Sequence, residues 1–172
     1  MSEEKPCRES FPWWIVVLAN LVSLAIYAFG AFIIYQVGWM WMTAYLLFIL
    51  VLEIRLLKGS CVHCYYYGKT CAFGRGRLSS LLFSRGDPEG FSNRKATWRD
   101  LIPDILVSLI PVVTGLVILV RDFKWPVLAA MAGLLLLATV GNGAVRGSLA
   151  CKYCKQRELG CPAERLFQKT EY

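Results

Sequence analysis

The sequence predicts an all-α integral membrane protein: a four-transmembrane-helix bundle made by tandem, parallel duplication of a helical hairpin with a cytoplasmic cysteine knuckle. Three observations predict it. The 172 residues are 56% hydrophobic, with a mean hydropathy of +0.48, too apolar for an ordinary soluble domain. Four runs with little or no charge are long enough to cross a bilayer. One cysteine pattern, C-x2-C-x6-C, occurs twice, as Cys61, Cys64 and Cys71 and as Cys151, Cys154 and Cys161, ninety positions apart at every cysteine.

The chain opens on a short segment of mixed charge, Met1 to Ser10, which holds Pro6 and Cys7 and is expected at the membrane surface. From Ser10 to Leu52 there is no charged residue, a stretch too long for the apolar core of a signal peptide and sufficient for two spans. Division at Gln36-Val37-Gly38 places these near 12–35 and 39–57, and so short a turn makes them an antiparallel hairpin. A polar, glycine-rich loop with the first cysteine triple follows at 58–98. Within it Arg77 to Phe83 sets Leu78, Leu81 and Leu82 at helical spacing, which predicts a short interfacial helix or one that covers the core of the loop.

Apolar sequence resumes from Leu101 to Val120, and Pro111 is expected to kink or end that helix. After Arg121-Asp122-Phe123-Lys124, an uncharged run from Trp125 to Val145 supplies the fourth span. The tail carries the second triple and a small amphipathic stretch at Ala163 to Phe167. Superposition at the ninety-residue offset pairs Phe11 with Leu101 and divides the chain into repeats at 1–90 and 91–172.

Four spans put both chain ends and the central loop on one side. Of the nineteen Lys and Arg, seventeen fall there and two, Arg121 and Lys124, on the other. The positive-inside rule therefore predicts both termini and all seven cysteines in the cytoplasm. Trp13, Trp14 and Trp98 fall at that boundary and Trp39, Trp41 and Trp125 at the opposite one, as in an aromatic belt. Topology thus accounts for the formal charge of +7, and no nucleic-acid partner is expected; the bilayer is the partner, with a membrane complex or a second copy of the chain beside it.

A reducing compartment disfavours disulfides and favours metal ligation by Cys61, Cys64, Cys71, Cys151, Cys154 and Cys161. Two arrangements follow. Either the two C-x2-C pairs share one closed four-thiolate site, or each triple holds its own centre, the arrangement favoured by recurrence of the third cysteine. Zinc suits closed thiolate sites, and an iron-sulfur cluster suits three cysteines with an open corner. Cys161-Pro162 is similar, over two residues, to the Cys-Pro that closes bacterial ferredoxin motifs. His63, the single histidine, lies inside the first pair and is matched by Tyr153 in the second; adjacency to Cys64 strains it as a ligand and favours an orienting or solvent-facing role.

The function expected is therefore that of a membrane metalloprotein with two cytoplasm-facing cysteine-ligated centres, serving electron transfer or stabilising a membrane complex. A soft-metal transporter is the alternative, and a membrane metalloenzyme using Glu53 or Asp104 beside an open metal corner is the third. Glu53, Asp104, Asn142 and Asn20 are the polar groups of the spans, with an ion path towards the cysteines as one role and interfacial snorkelling as the simpler one.

Overall fold

A computed structural model describes residues 7–92 and 98–161. Every named element is helical, and the one β contact among the described residues is an isolated parallel bridge between Arg8 and Cys154. The elements are α1 (Trp13–Tyr35), α2 (Trp39–Gly59), α3 (Arg75–Leu82), α4 (Pro88–Ser92), α5 (Trp98–Arg121), α6 (Trp125–Leu136) and α7 (Lys155–Glu158). Two helices carry on past their α-helical bounds. The second spanning helix runs from Trp39 to His63, and the fourth from Trp125 to Tyr153.

Four helices are long and apolar enough to cross a membrane, and only 17–28% of their most apolar stretches is buried within the protein. Leu21, Leu24, Val51, Leu116 and Val120 lie bare on their surfaces. So much exposed hydrocarbon is untenable in water and is what a lipid environment covers. Exposed Trp13, Trp39 and Trp125 open three of these helices, where an indole sits at the bilayer interface.

The chain forms two compact units, and both draw on both halves of the sequence. One unit comprises Asn20–Glu53 and Arg99–Gly143, the middles of the spans. Its packing has two centres. Ile26 and Ile33 of α1 meet Val127, Ala130, Met131 and Leu134 of α6, while Ile34 of α1, Tyr45 and Ile49 of α2 and Val107 of α5 form the second.

Pro111 does not end α5, which continues through it to Arg121. A proline inside a helix leaves the carbonyl four residues earlier without its N–H partner, here Val107. Tyr45 supplies the missing donor: its hydroxyl gives a 2.8 Å hydrogen bond to the Val107 carbonyl. Gly30 makes this approach sterically feasible, because a Cβ there would stand 2.3 Å from the Tyr45 oxygen and 3.1 Å from the Pro111 ring. A three-residue device thus preserves an apolar span that composition alone says should break.

The fourth span is also longer than the uncharged run. It passes Asn142 and continues to Ala150 through π-helical turns at Leu137–Gly141 and Ala144–Ala150. Thr139 and Ser148 return their hydroxyls to the carbonyls of Leu135 and Ala144, four residues back. Such back-bonding occupies acceptors that α-helical amides would otherwise use, in keeping with the wider turns here.

Candidate functional site

The second compact unit comprises Met1–Ala19, Ile54–Trp98 and Ala144–Tyr172, and all seven cysteines belong to it. Both triples start at the end of a long helix. Cys61–His63 and Cys151–Tyr153 each form a single 3-10 turn. Each turn is closed by the amide of the second cysteine, Cys64 to the Cys61 carbonyl at 3.3 Å and Cys154 to the Cys151 carbonyl at 3.2 Å. Both second cysteines then extend the backbone, with φ/ψ of −75°/151° at Cys64 and −82°/120° at Cys154.

The turns are joined by a reciprocal exchange. Tyr66 and Gln156 occupy matching positions two residues beyond Cys64 and Cys154, and both are buried. The Lys155 amide donates to the Tyr66 hydroxyl at 3.0 Å, and the Tyr65 amide donates to Gln156 Oε1 at 2.7 Å. Each segment therefore buries one polar side chain against the backbone of the other. Unmatched, either acceptor would be costly to bury; matched, the pair sets how the two segments meet.

Around this exchange Phe11, Ile15, Tyr66, Ala72 and Ala150 form one apolar cluster, against which Cys64, Cys71, Tyr153 and Cys154 pack. The N-terminal segment closes over both triples. Arg8 N–H donates to the Tyr153 carbonyl at 2.9 Å, its guanidinium lies 5.1 Å from the Tyr153 ring centre, and its own carbonyl accepts from the Tyr66 hydroxyl at 2.5 Å. Glu9 bridges to Lys155 at 3.0 Å, and each partner stabilises the charge of the other, lowering the Glu9 carboxyl and raising the Lys155 amine.

The thiols feel one another across the triples. Burial pushes the Cys154 thiol up to about 12, and charge on Cys64, Cys151 and Cys161 adds to the rise while a backbone hydrogen bond from Gln156 opposes it. Burial also raises Cys64, with Cys71 and Cys161 adding to it and hydrogen bonds from the Tyr66 and Tyr65 backbone opposing it. The Gly76 amide donates to Cys71 Sγ at 3.4 Å. Backbone donors directed at sulfur are the supports that thiolate ligands use.

No family model, curated protein or solved structure matches the chain. Its site therefore rests on its own geometry.

Of the six cysteines proposed from sequence, Cys61, Cys64, Cys71, Cys154 and Cys161 are partly buried and Cys151 is exposed; Cys64, Cys71 and Cys154 pack against the one apolar cluster. None of the described cysteines is in a disulfide. Among the described residues, no three His, Cys, Asp or Glu side chains are disposed to hold one ion. The thiols are gathered without converging on one point.

Cys7, whose role the sequence leaves open, donates its thiol to the Cys154 carbonyl at 3.7 Å. Its thiol is raised, first by a hydrogen bond with Glu158. His63 stands apart, with Nδ1 2.9 Å from the Asp87 carbonyl. Because a carbonyl only accepts, Nδ1 carries the proton and the contact pins the 84–87 segment that joins α3 to α4. Gly86 beneath it has no room for a side chain, a Cβ there falling 2.3 Å from the ring.

The polar groups of the spans belong to the other unit. Glu53 accepts a 2.7 Å hydrogen bond from the Tyr27 hydroxyl of α1, and Asp104 is exposed on α5. The residues that sequence reading missed are Tyr66 and Gln156. The signal was present in their matching offset, but Tyr and Gln share no chemistry class that would have paired them. The stretch Ala163 to Phe167 lies outside the described residues.

Proposed function

We propose that this integral membrane protein carries one thiolate-ligated metal centre shared by its two cysteine triples, on the cytoplasmic side, and that the triples are the halves of a duplicated hairpin-plus-knuckle unit. The single observation that carries the reading is geometric: Cys64 and Cys71 of the first triple and Cys154 of the second pack against one apolar cluster, although ninety residues separate Cys64 from Cys154. Separate centres would keep the two sets of thiols apart. The residues that would hold the ion are Cys64, Cys71, Cys154 and Cys161. Cys61 and Cys151 lie at the ends of the spanning helices as reserve donors.

Matched 3-10 turns, matched extended cysteines and the Tyr66–Gln156 exchange support the duplication, since two unrelated loops have no reason to trade hydrogen bonds at equivalent positions. The cytoplasmic assignment rests on the seventeen-to-two division of basic residues. As thiolates these groups would be buried and would repel one another, and a cation that takes the place of their protons offsets both costs. The centre, zinc or iron-sulfur, then ties the second and fourth helices together as a stabilising or electron-transferring site.

Anaerobic purification of the full chain with metal analysis and a visible spectrum tests this. A brown protein with iron and acid-labile sulfide, or a colourless one with stoichiometric zinc, is the expected outcome. Metal-free protein whose cysteines all alkylate without loss of fold would overturn the reading.

A further inference from the structure

Beside the thiol cluster, charge and exposed apolar surface meet around Phe73. The Arg75 and Arg146 guanidinium carbons stand 5.5 Å and 5.4 Å from the centre of this one ring. Both charges thus border the same ring and the same patch of surface. The ring holds both by cation–π attraction, and they come from places 71 residues apart, the loop and the end of the fourth span.

The depth of the pair is set by its neighbours. A Cβ on Gly74 would stand 3.1 Å from the side chain of Val16, the fourth residue of α1. Exposed Trp13 and Trp14 begin that helix. This is the level at which lipid headgroups sit. The helix that Arg75 opens, α3, buries Gly76 and Ser79 and turns Leu78, Leu81 and Leu82 outward, 46%, 81% and 59% exposed. An apolar face of this kind beside paired guanidiniums matches one kind of ligand, a molecule with an anionic phosphate head and hydrocarbon chains.

We infer that Arg75 and Arg146, gathered on Phe73, bind the phosphate of an anionic phospholipid whose chains lie along Leu78, Leu81 and Leu82. The site adjoins the thiol cluster, since Phe73 packs against that cluster and the Gly76 amide beside Arg75 donates to Cys71 Sγ, but it uses none of the cysteines. It also gives α3 its role: the helix is an interfacial lipid clamp, and its leucines are not cover for the loop.

The test uses the full chain in mild detergent or in zwitterionic nanodiscs, titrated with short-chain phosphatidylglycerol, with inorganic phosphate and short-chain phosphatidylcholine as separate arms. Phosphatidylglycerol should bind, with phosphate and phosphatidylcholine at least tenfold weaker. The double change R75Q/R146Q should weaken phosphatidylglycerol binding roughly tenfold or more, whereas R77Q, on the same helix and outside the pair, should leave it within about twofold. Equal losses for R77Q and the pair, or binding of phosphate as tight as that of the lipid, would overturn the inference. Should the double variant fail to insert, a photoactivatable phosphatidylglycerol on the wild-type chain decides the matter: its adducts should map to 73–82, and adducts spread over all basic segments would count against the site.

Discussion

At the scale of single residues, the site depends on two buried polar side chains and one glycine. Replacing Tyr66 by Phe removes the group that takes the Lys155 amide and serves the Arg8 carbonyl, and an orphaned buried amide costs about 1–3 kcal/mol. We expect Tyr66→Phe to lower the denaturation midpoint in detergent and to accelerate alkylation of Cys64 and Cys154; unchanged alkylation would remove the exchange from the account. Gly76 is a sharper case. A Cβ there would fall 2.1 Å from the Tyr66 carbonyl oxygen and 2.5 Å from that of Lys69. Gly76→Ala must therefore open the loop and carry the Cys71 thiol away from its amide donor, which faster modification of Cys71 will report.

The thiols supply a pH dependence whose sign follows from their surroundings. Folded Cys154 keeps its proton up to about 12, against 9.0 for an unburied thiol. Folded metal-free protein thus holds a proton that the unfolded chain has lost, and its stability should be intact below pH 9 and decline as the pH climbs from there towards 12. Metal loading has the opposite slope. An ion must displace the thiol protons, so its affinity should rise with pH between 6.5 and 8.5, by up to about four log units per pH unit for four thiols. Competition with a chelator across that range measures the slope, and a flat response would exclude ligation by these groups.

At the scale of elements, α5 tests whether a buried hydrogen bond replaces what proline removes. Tyr45→Phe leaves the Val107 carbonyl without a partner in the span, where each such loss costs on the order of 1 kcal/mol. In a Pro111→Ala background the restored amide serves that carbonyl, and Tyr45→Phe should become nearly neutral. A double-mutant cycle on thermal midpoints gives the answer; equal costs in both backgrounds would contradict the pairing.

The same helix marks where sequence reading stops. Span existence and order were legible, because runs of twenty apolar residues have few other uses. The continuity of α5 through Pro111 was not, because it depends on Tyr45 and Gly30, 66 and 81 residues earlier. The uncharged run marks the fourth span as far as Val145, but charge at Arg146 closes that run, and the continuation of the helix to Ala150 through a second π-helical stretch is not visible in it. Leu78, Leu81 and Leu82 were rightly placed on one helix face, but only their exposure tells that the face turns outward.

At the scale of the whole molecule, the compact units cut across the two halves of the sequence. Span middles form one unit; span ends, loop and tail form the other, and the latter holds all the sulfur. Repetition of C-x2-C-x6-C marked these cysteines from the outset, yet spacing alone favoured two centres, since it gives each triple equal standing. What spacing does not carry is that Tyr66 and Gln156 interlock the triples, which makes one shared centre the simpler arrangement.

Metal content per chain, measured for the wild type beside Cys64→Ser and Cys154→Ser after anaerobic purification, addresses that claim most directly. One shared centre predicts a single centre per chain in the wild type and its complete loss in either variant. About half the metal remaining in each variant would establish two separate centres, and a metal-free wild type would contradict the account altogether.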